Sequence, residues 1–343
     1  MQGTADILGH ERLIASLWDV AARSKQHHAY LFEGPDGIGK RRVARRFAMA
    51  LNCEAASTNA EASLPCGVCR TCVEIADGTH ADVILVEPEG KGATKVIPVD
   101  RIREVIRISG LHRYRARQRV ILIDPIDALN DSGANALLKT LEAPPEGTGF
   151  ILLTSKASAL LPTILSRCQR VRFGAVHEQL ITDWLVREHE VAESVAARAA
   201  LLAQGCPGMA LTYTEDVLEK RDETKRQLLE VLKGTSKDRF DYSESLTRGK
   251  RPDWTPRVEE RLAILEELLR DVTLCASGSE APLLHPDVID ETERWVDVLW
   301  PGGLHRCAQA IHDARSQLRS NVTGRTAVDA LLAFVHEETR PAR

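Results

Sequence analysis

A chain of 343 residues has room for two or three domains with real cores, and 43% apolar against 27% charged residues suits a globular protein. A net charge of only −4 excludes a wholesale polyanion-binding surface, so any nucleic-acid contact has to be local. No apolar leader opens the chain and no run reaches bilayer-spanning length, which points to the cytoplasm and away from a membrane; there, eight cysteines suit a metal better than disulfides.

Residues 29–33 (Ala-Tyr-Leu-Phe-Glu) read as a short buried strand leading straight into Gly34-Pro-Asp-Gly-Ile-Gly-Lys-Arg41. Gly34, Gly37, Gly39 and Lys40 fit a P-loop, whose backbone N–H groups cradle phosphates while the lysine reaches the β/γ oxygens. The next residue should be Ser or Thr, to ligate Mg²⁺. Arg41 stands there instead, and a guanidinium cannot ligate a metal. A helix should follow, with Val43, Ala44, Phe47, Ala48 and Leu51 on one face. An ordinary glycine turn is the alternative, but strand, loop and helix in this order are the setting a phosphate loop requires.

Cys66-x-x-Cys69-x-x-Cys72 follows, with Cys53 upstream at the end of the expected helix. Zinc prefers four tetrahedral thiolates, and the polar stretch between Cys53 and Cys66 would let the fourth ligand fold back. A redox pair or incidental thiols are the other readings. With four ligands the site has no open position, so its role would be structural. Cys168, Cys206, Cys275 and Cys307 are scattered and read as small buried residues.

A second strand is expected at 82–86, then a helix over 98–108 capped by Asp100 with Ile102, Val105 and Ile106 as its stripe. Residues 120–124 are a continuous apolar run ending in a carboxylate, Asp124, the Walker B pattern. Motor enzymes place a glutamate next, to polarise the attacking water; here the residue is Pro125. Asp127 is poorly directed to replace it. Two losses in one site argue against hydrolysis, although Lys40 and the glycine backbone could still hold ATP or ADP.

A helix over 131–142, capped by Asp131, should turn Ala134, Leu137, Leu138 and Leu141 inward and end at Pro144-Pro145. Strands at 150–154 and 170–173 complete an α/β domain with a mostly parallel sheet. Arg167, just before the last strand, could reach across a subunit interface or sit in a surface ion pair. Helical periodicity then dominates through 177–187 and 191–204, until Gly205-Cys-Pro-Gly208 breaks it. From about 217 the chain reads almost wholly helical, clearest over 257–275. The polar stretch 234–256, with Pro252 and Pro256, reads as a loop or weak helix.

Taken in order, Gly9-His10, Tyr30-Leu-Phe-Glu-Gly34, the cysteine hook, Thr79-His-Ala-Asp82, Asn135 to Glu142 before Pro144-Pro145, and Ser166-Arg-Cys168 resemble the AAA+ subunits of the bacterial DNA polymerase III clamp loader. The likeness covers about residues 1–215 strongly, and the remainder only in general character. The degenerate P-loop and Walker B look like the delta-prime type rather than the gamma/tau motor type. The resemblance implies α/β plus all-α architecture: a RecA-like AAA+ domain over 1–174 with a zinc module at about 53–72, a helical lid over 175–216, and a helical collar over 217–343.

It further implies that Arg167 completes the ATP site of a neighbouring gamma/tau subunit as an arginine finger. Cys53, Cys66, Cys69 and Cys72 match the zinc ligands, across a longer first gap than usual. Thr154 falls near the sensor-1 position, and Gly208 stands where motor subunits carry a sensor-2 arginine. Expected partners are gamma/tau and delta subunits, with the sliding clamp and primed DNA reached through the complex. Arg103 and Arg107, at i and i+4, would suit DNA phosphates or be solvated charges; Arg113, Arg115, Arg117 and Arg119 are the weaker set. Rival expectations are an active gamma/tau-like ATPase and a stand-alone zinc-bearing nucleic-acid binder.

Overall fold

The computed structural model describes residues 7–23, 26–55, 64–90, 96–299, 301–319 and 322–340; residues 56–63, within the stretch expected to let Cys53 fold back, lie outside them. The chain divides into two compact units, Met1–Tyr213 and Thr214–Arg343.

In the first unit, β1 (Ala29–Glu33), β2 (Val83–Val86), β3 (Arg119–Ile123), β4 (Thr148–Thr154) and β5 (Gln169–Arg172) form one sheet in the order β2-β3-β4-β1-β5. Every pairing is parallel. The three central strands are buried along their whole length, which is why they read as unbroken apolar runs rather than alternating ones. Their side chains nevertheless alternate between faces. Tyr30, Phe32, Val120, Leu122, Ile151 and Leu153 join the core on one side, while Leu31, Ile121, Ile123, Phe150 and Leu152 join the core on the other. Helices α1 (Glu11–Ala22) and α2 (Lys40–Asn52) cover the first face, through Ile14, Leu17, Val43 and Phe47; α4 (Val99–Ser109) and α5 (Asp131–Glu142) cover the second, through Ile102, Val105, Leu137 and Leu141. The result is a three-layer α/β module.

Register places the site. Glu33 pairs with Thr154, Ile123 with Leu152, and Val86 with Ile123, so the carboxyl ends of four strands share one edge. Ligands of open α/β sheets bind at that edge. The short helix α3 (Arg70–Ala76) carries the cysteine hook, and α6 (Pro162–Leu165) precedes β5. Helices α7 (Glu178–His189), α8 (Glu193–Leu202) and α9 (Pro207–Ala210) complete the unit.

Two caps differ from expectation. Asn130, not Asp131, accepts the Gly133 N–H at 2.9 Å, which puts Asp131 inside the first turn, where its charge suits the helix dipole. Pro98 precedes α4, and Asp100 lies in its first turn. Leu138 is only half-buried; Thr140 takes the inward position.

The second unit is helical: α10 (Glu215–Lys233), α11 (Ser236–Leu246), α12 (Arg251–Ser277), α13 (Ile289–Leu299), α14 (Gly302–Arg319) and α15 (Gly324–Thr339). The stretch 234–256, expected as a loop or weak helix, is mostly helix, in α11 and the start of α12, with residues 247–250 between them. Thr235 and Asp238 form a reciprocal capping box that starts α11. Pro252 sits in the first turn of α12, where no N–H donor is needed, and Pro256 removes one bond from a helix anchored by buried Trp254, Val258 and Leu262. A buried charge network ties α10 to α12 and to the segment before α13. Arg221 bonds Glu267 at 2.6 and 2.7 Å, His285 bonds Glu267 at 2.9 Å, and the fully buried Lys225 bonds Asp287 at 2.6 Å.

Candidate functional site

The loop after β1 wraps the start of α2, so that Gly39 precedes the helix and Lys40 is its first residue. Lys40 is buried, and its ammonium donates to the carbonyls of Gly34 at 2.7 Å and Pro35 at 2.8 Å. Burial pulls its pKa below the ordinary lysine value, against the opposing charges of Asp36 and Asp124. Arg41, one residue on, turns toward the sheet edge. Its guanidinium bonds the Asp124 carboxylate directly and Glu87 at 2.7 Å. Burial disfavours that charge, but the two carboxylates outweigh it and raise the arginine pKa further.

A divalent cation at a P-loop needs the hydroxyl at position 41 and access to the Walker B carboxylate. Neither condition is met, because a guanidinium replaces the hydroxyl and engages the carboxylate. The residues present do not fit Mg²⁺.

Thr154, at the end of β4, is fully buried and donates to Asp127 at 2.7 Å while accepting the Lys156 N–H at 2.9 Å. Asp127 is thereby committed to Thr154. Over the loop lies α9, and the Gly208 N–H donates to the Gly37 carbonyl at 2.8 Å. Gly37 has φ +78°, and a Cβ there would stand 2.9 Å from the Met209 backbone nitrogen; a Cβ on Gly208 would stand 2.9 Å from the Gly37 oxygen. Both positions require glycine for this approach. Between the loop, α7, α9 and the sheet edge lies a cavity of about 560 Å³.

Arg167 follows α6, half-buried, and its guanidinium bonds Glu142 at the end of α5 as well as the Thr163 carbonyl at 2.7 Å. Arg167 lies outside the set of residues lining the phosphate-loop cavity.

The sulfurs of Cys53, Cys66, Cys69 and Cys72 lie within 4.8 Å of one another. Four thiolates around zinc, each at ~2.3 Å, would be about 3.8 Å apart, so the cluster fits the ion with slight contraction. Backbone N–H groups already point at the sulfurs, from Cys66 to Cys53 at 3.4 Å and from Cys69 to Cys66 at 3.3 Å. Burial would raise the Cys66 thiol, but donors from Cys69 and Val68 hold it at about 7. Glu54, beside Cys53, accepts from the Thr71 hydroxyl at 2.7 Å and pins the helix end to the hook. The chemistry zinc would supply is cross-linking of this hook to the end of α2.

Arg103 and Arg107 are exposed on α4, opposite buried Ile102 and Val105, and Arg103 bonds Asp100 at 3.0 Å. The alternating set behaves differently. Arg119 is buried, bonds Asp82 at 2.7 Å and donates to the carbonyls of Ile108, Leu111 and His112. Arg115 bonds Glu74 and Arg113 bonds the Arg117 carbonyl. These arginines hold the loop before β3.

Sequence reasoning missed Glu87 and Glu142, the acidic partners of Arg41 and Arg167. A signal for Glu87 existed: it directly follows β2, at the carboxyl edge where sites form. Glu142 carried none, since its partner is 25 residues away in sequence.

The family described as "DNA polymerase III, delta subunit" matches residues 9–177. The DNA polymerase III subunit tau of Escherichia coli is 35% identical over 69% of this chain and 36% of its own length. The delta-prime subunit of Pseudomonas aeruginosa is 36% identical over 64% of the chain and 66% of its own length. That of Bacillus subtilis is 27% identical over 95% of the chain and 96% of its own length. The chain thus spans about a third of the tau protein it matches. Among the described residues, no helix is long and apolar enough to cross a membrane.

Proposed function

Because the chain belongs to the delta-prime clamp-loader family of DNA polymerase III, we propose that it is a non-hydrolysing AAA+ partner within a cytoplasmic clamp loader. In this reading residues 1–174 form the nucleotide-type domain, 175–216 a lid and 217–343 a collar that assembles with gamma/tau and delta subunits. Zinc on Cys53, Cys66, Cys69 and Cys72 holds the hook. Arg167 projects into the ATP site of a neighbouring motor subunit, and the complex places a sliding clamp on primed DNA. Arg103 and Arg107 are the residues offered for phosphate contact.

The observation that carries the reading is the bonding of Arg41 to Asp124, which takes up the carboxylate a hydrolytic metal would need. Pro125 in place of the expected glutamate supports it. Binding energy and position, not chemistry at its own loop, are then what this subunit contributes.

The test is reconstitution with tau/gamma and delta subunits. A trans arginine is worth ~10³–10⁵ in rate at the site it completes, so Arg167→Ala should cut turnover there by at least that lower factor and stall clamp loading. Unchanged turnover and loading would remove the finger. The isolated chain should show no ATP hydrolysis; turnover abolished by Lys40→Ala would overturn the silent-site reading.

A further inference from the structure

The second unit holds a cavity of about 570 Å³ between the end of α10, the start of α11, α13 and the end of α15. Leu229, Leu232 and Trp295 give it apolar wall. The rest of its lining is charged, and unevenly so. Lys233, Arg239, Arg294 and Arg340 face a single carboxylate, Glu291, among the described residues that line it.

The bonds show where the charge is left over. One oxygen of Glu291, Oε2, accepts from Lys233 at 2.5 Å and from Arg294 as well. Partial burial and the like charge of Arg294 pull the Lys233 pKa below the ordinary lysine value, against the opposing charge of Glu230. Arg239 is only 5% exposed, yet its guanidinium bonds neutral oxygens, the Gly234 carbonyl at 2.8 Å and the Ser236 hydroxyl at 3.2 Å. Among the described residues, no carboxylate bonds it. Adjacent Asp238 commits its Oδ2 to the Thr235 backbone N–H and hydroxyl, both at 2.7 Å. A buried guanidinium without an ionic partner is costly, and an anion entering the cavity would remove that cost. His336 donates from Nδ1 to the Leu232 carbonyl at 2.6 Å, which leaves its Nε2 for a ligand.

Size and charge narrow the ligand. The volume is that of a small-molecule site. Planar guanidinium forks match the oxygens of a phosphoryl group. Four cations against one carboxylate leave a surplus of three positive charges. A phosphomonoester, at about −2, would not offset it, whereas a diphosphate carries more. We propose that this cavity binds a small molecule bearing a diphosphate group, held by the forks of Arg239 and Arg294 and the ammonium of Lys233. It uses no residue of the phosphate loop and is independent of the role given to Arg167.

The probe is inorganic pyrophosphate, titrated by calorimetry into the full chain at about 0.15 M salt. Lys40→Ala serves as the background throughout, to silence the phosphate loop. One saturable site with a dissociation constant below ~1 mM is expected, and no saturable binding overturns the proposal. Arg294→Gln and Lys233→Gln, both at exposed side chains, should each weaken binding about tenfold. Unchanged affinity in both would place the anion elsewhere and overturn it. Arg239→Gln should abolish binding. If circular dichroism shows that variant unfolded, Arg239→Lys serves, keeping the charge but losing the fork; about tenfold weaker binding is expected, and no change overturns the role of Arg239. Sulfate at matched ionic strength should compete poorly. Competition equal to that of pyrophosphate itself would show screening of surface charge rather than a site, and would sink the proposal.

Discussion

Asp82 has no solvent exposure, and its carboxylate accepts backbone N–H bonds from Tyr114, Arg115 and Ala116 at 2.9–3.1 Å besides the Arg119 guanidinium. Burial alone would raise its pKa; the four donors win and hold it at about 2. Because the folded value lies below the unfolded one, the stabilisation is complete above about pH 4 and disappears as pH falls through about 2. Asp82→Asn leaves Arg119 buried without its counter-charge and should cost about 3–5 kcal/mol at neutral pH. Urea unfolding at pH 7 and pH 3 checks this, and the difference between variant and parent should shrink at the lower pH. Arg167 is the contrasting case. Its pairing with half-exposed Glu142 is worth at most ~1 kcal/mol, so breaking that pair costs little. Glu142→Gln should accordingly leave the melting temperature within about two degrees of the parent.

At the scale of elements, the cysteine hook and the helix caps carry separable contributions. Purified chain should contain one zinc, and Cys69→Ser should lose it and melt earlier, as metal analysis beside calorimetry would report. An unchanged melting temperature in the metal-free variant would argue that zinc does not stabilise the fold. Gly205 has φ +82°, and a Cβ there would lie 2.5 Å from the Ala175 Cβ, so Gly205→Ala should destabilise the first unit by about 1–3 kcal/mol in urea. Thr235→Ala removes the capping box of α11 and should cost ~1 kcal/mol. These elements also show what a sequence reveals. Unbroken apolar runs such as Val120–Ile123 announced buried parallel strands, and the glycine spacing at 34–39 announced the loop, because both signals are local. The 234–256 stretch reads as loop or weak helix because its polarity reflects a solvated face, while Leu246 and Trp254 are buried. Partners such as Glu87 and Glu142 are created only when distant strand ends and helix ends meet, so no local pattern encodes them.

At the scale of the molecule, each unit has its own interior. Leu228, Leu262, Leu265, Ile311 and Leu332 belong to a single cluster within Thr214–Arg343, and Arg221, Lys225 and Glu267 find their partners there too. That segment expressed alone should therefore fold, giving a helical spectrum and one cooperative transition. Within Glu267, burial opposes ionisation but His285 and Arg221 prevail and lower its pKa, so its contribution too fades on acidification below the ordinary glutamate range. The backbone contact between Gly208 and Gly37 limits what can be engineered at the loop. A hydroxyl introduced at 41 and a glutamate at 125 would leave that contact as it is. A Cβ added at 208 meets the Gly37 oxygen at 2.9 Å, so α9 would first have to move away from the loop. Any larger residue at 208 is therefore coupled to a backbone shift and cannot be grafted as a lone substitution.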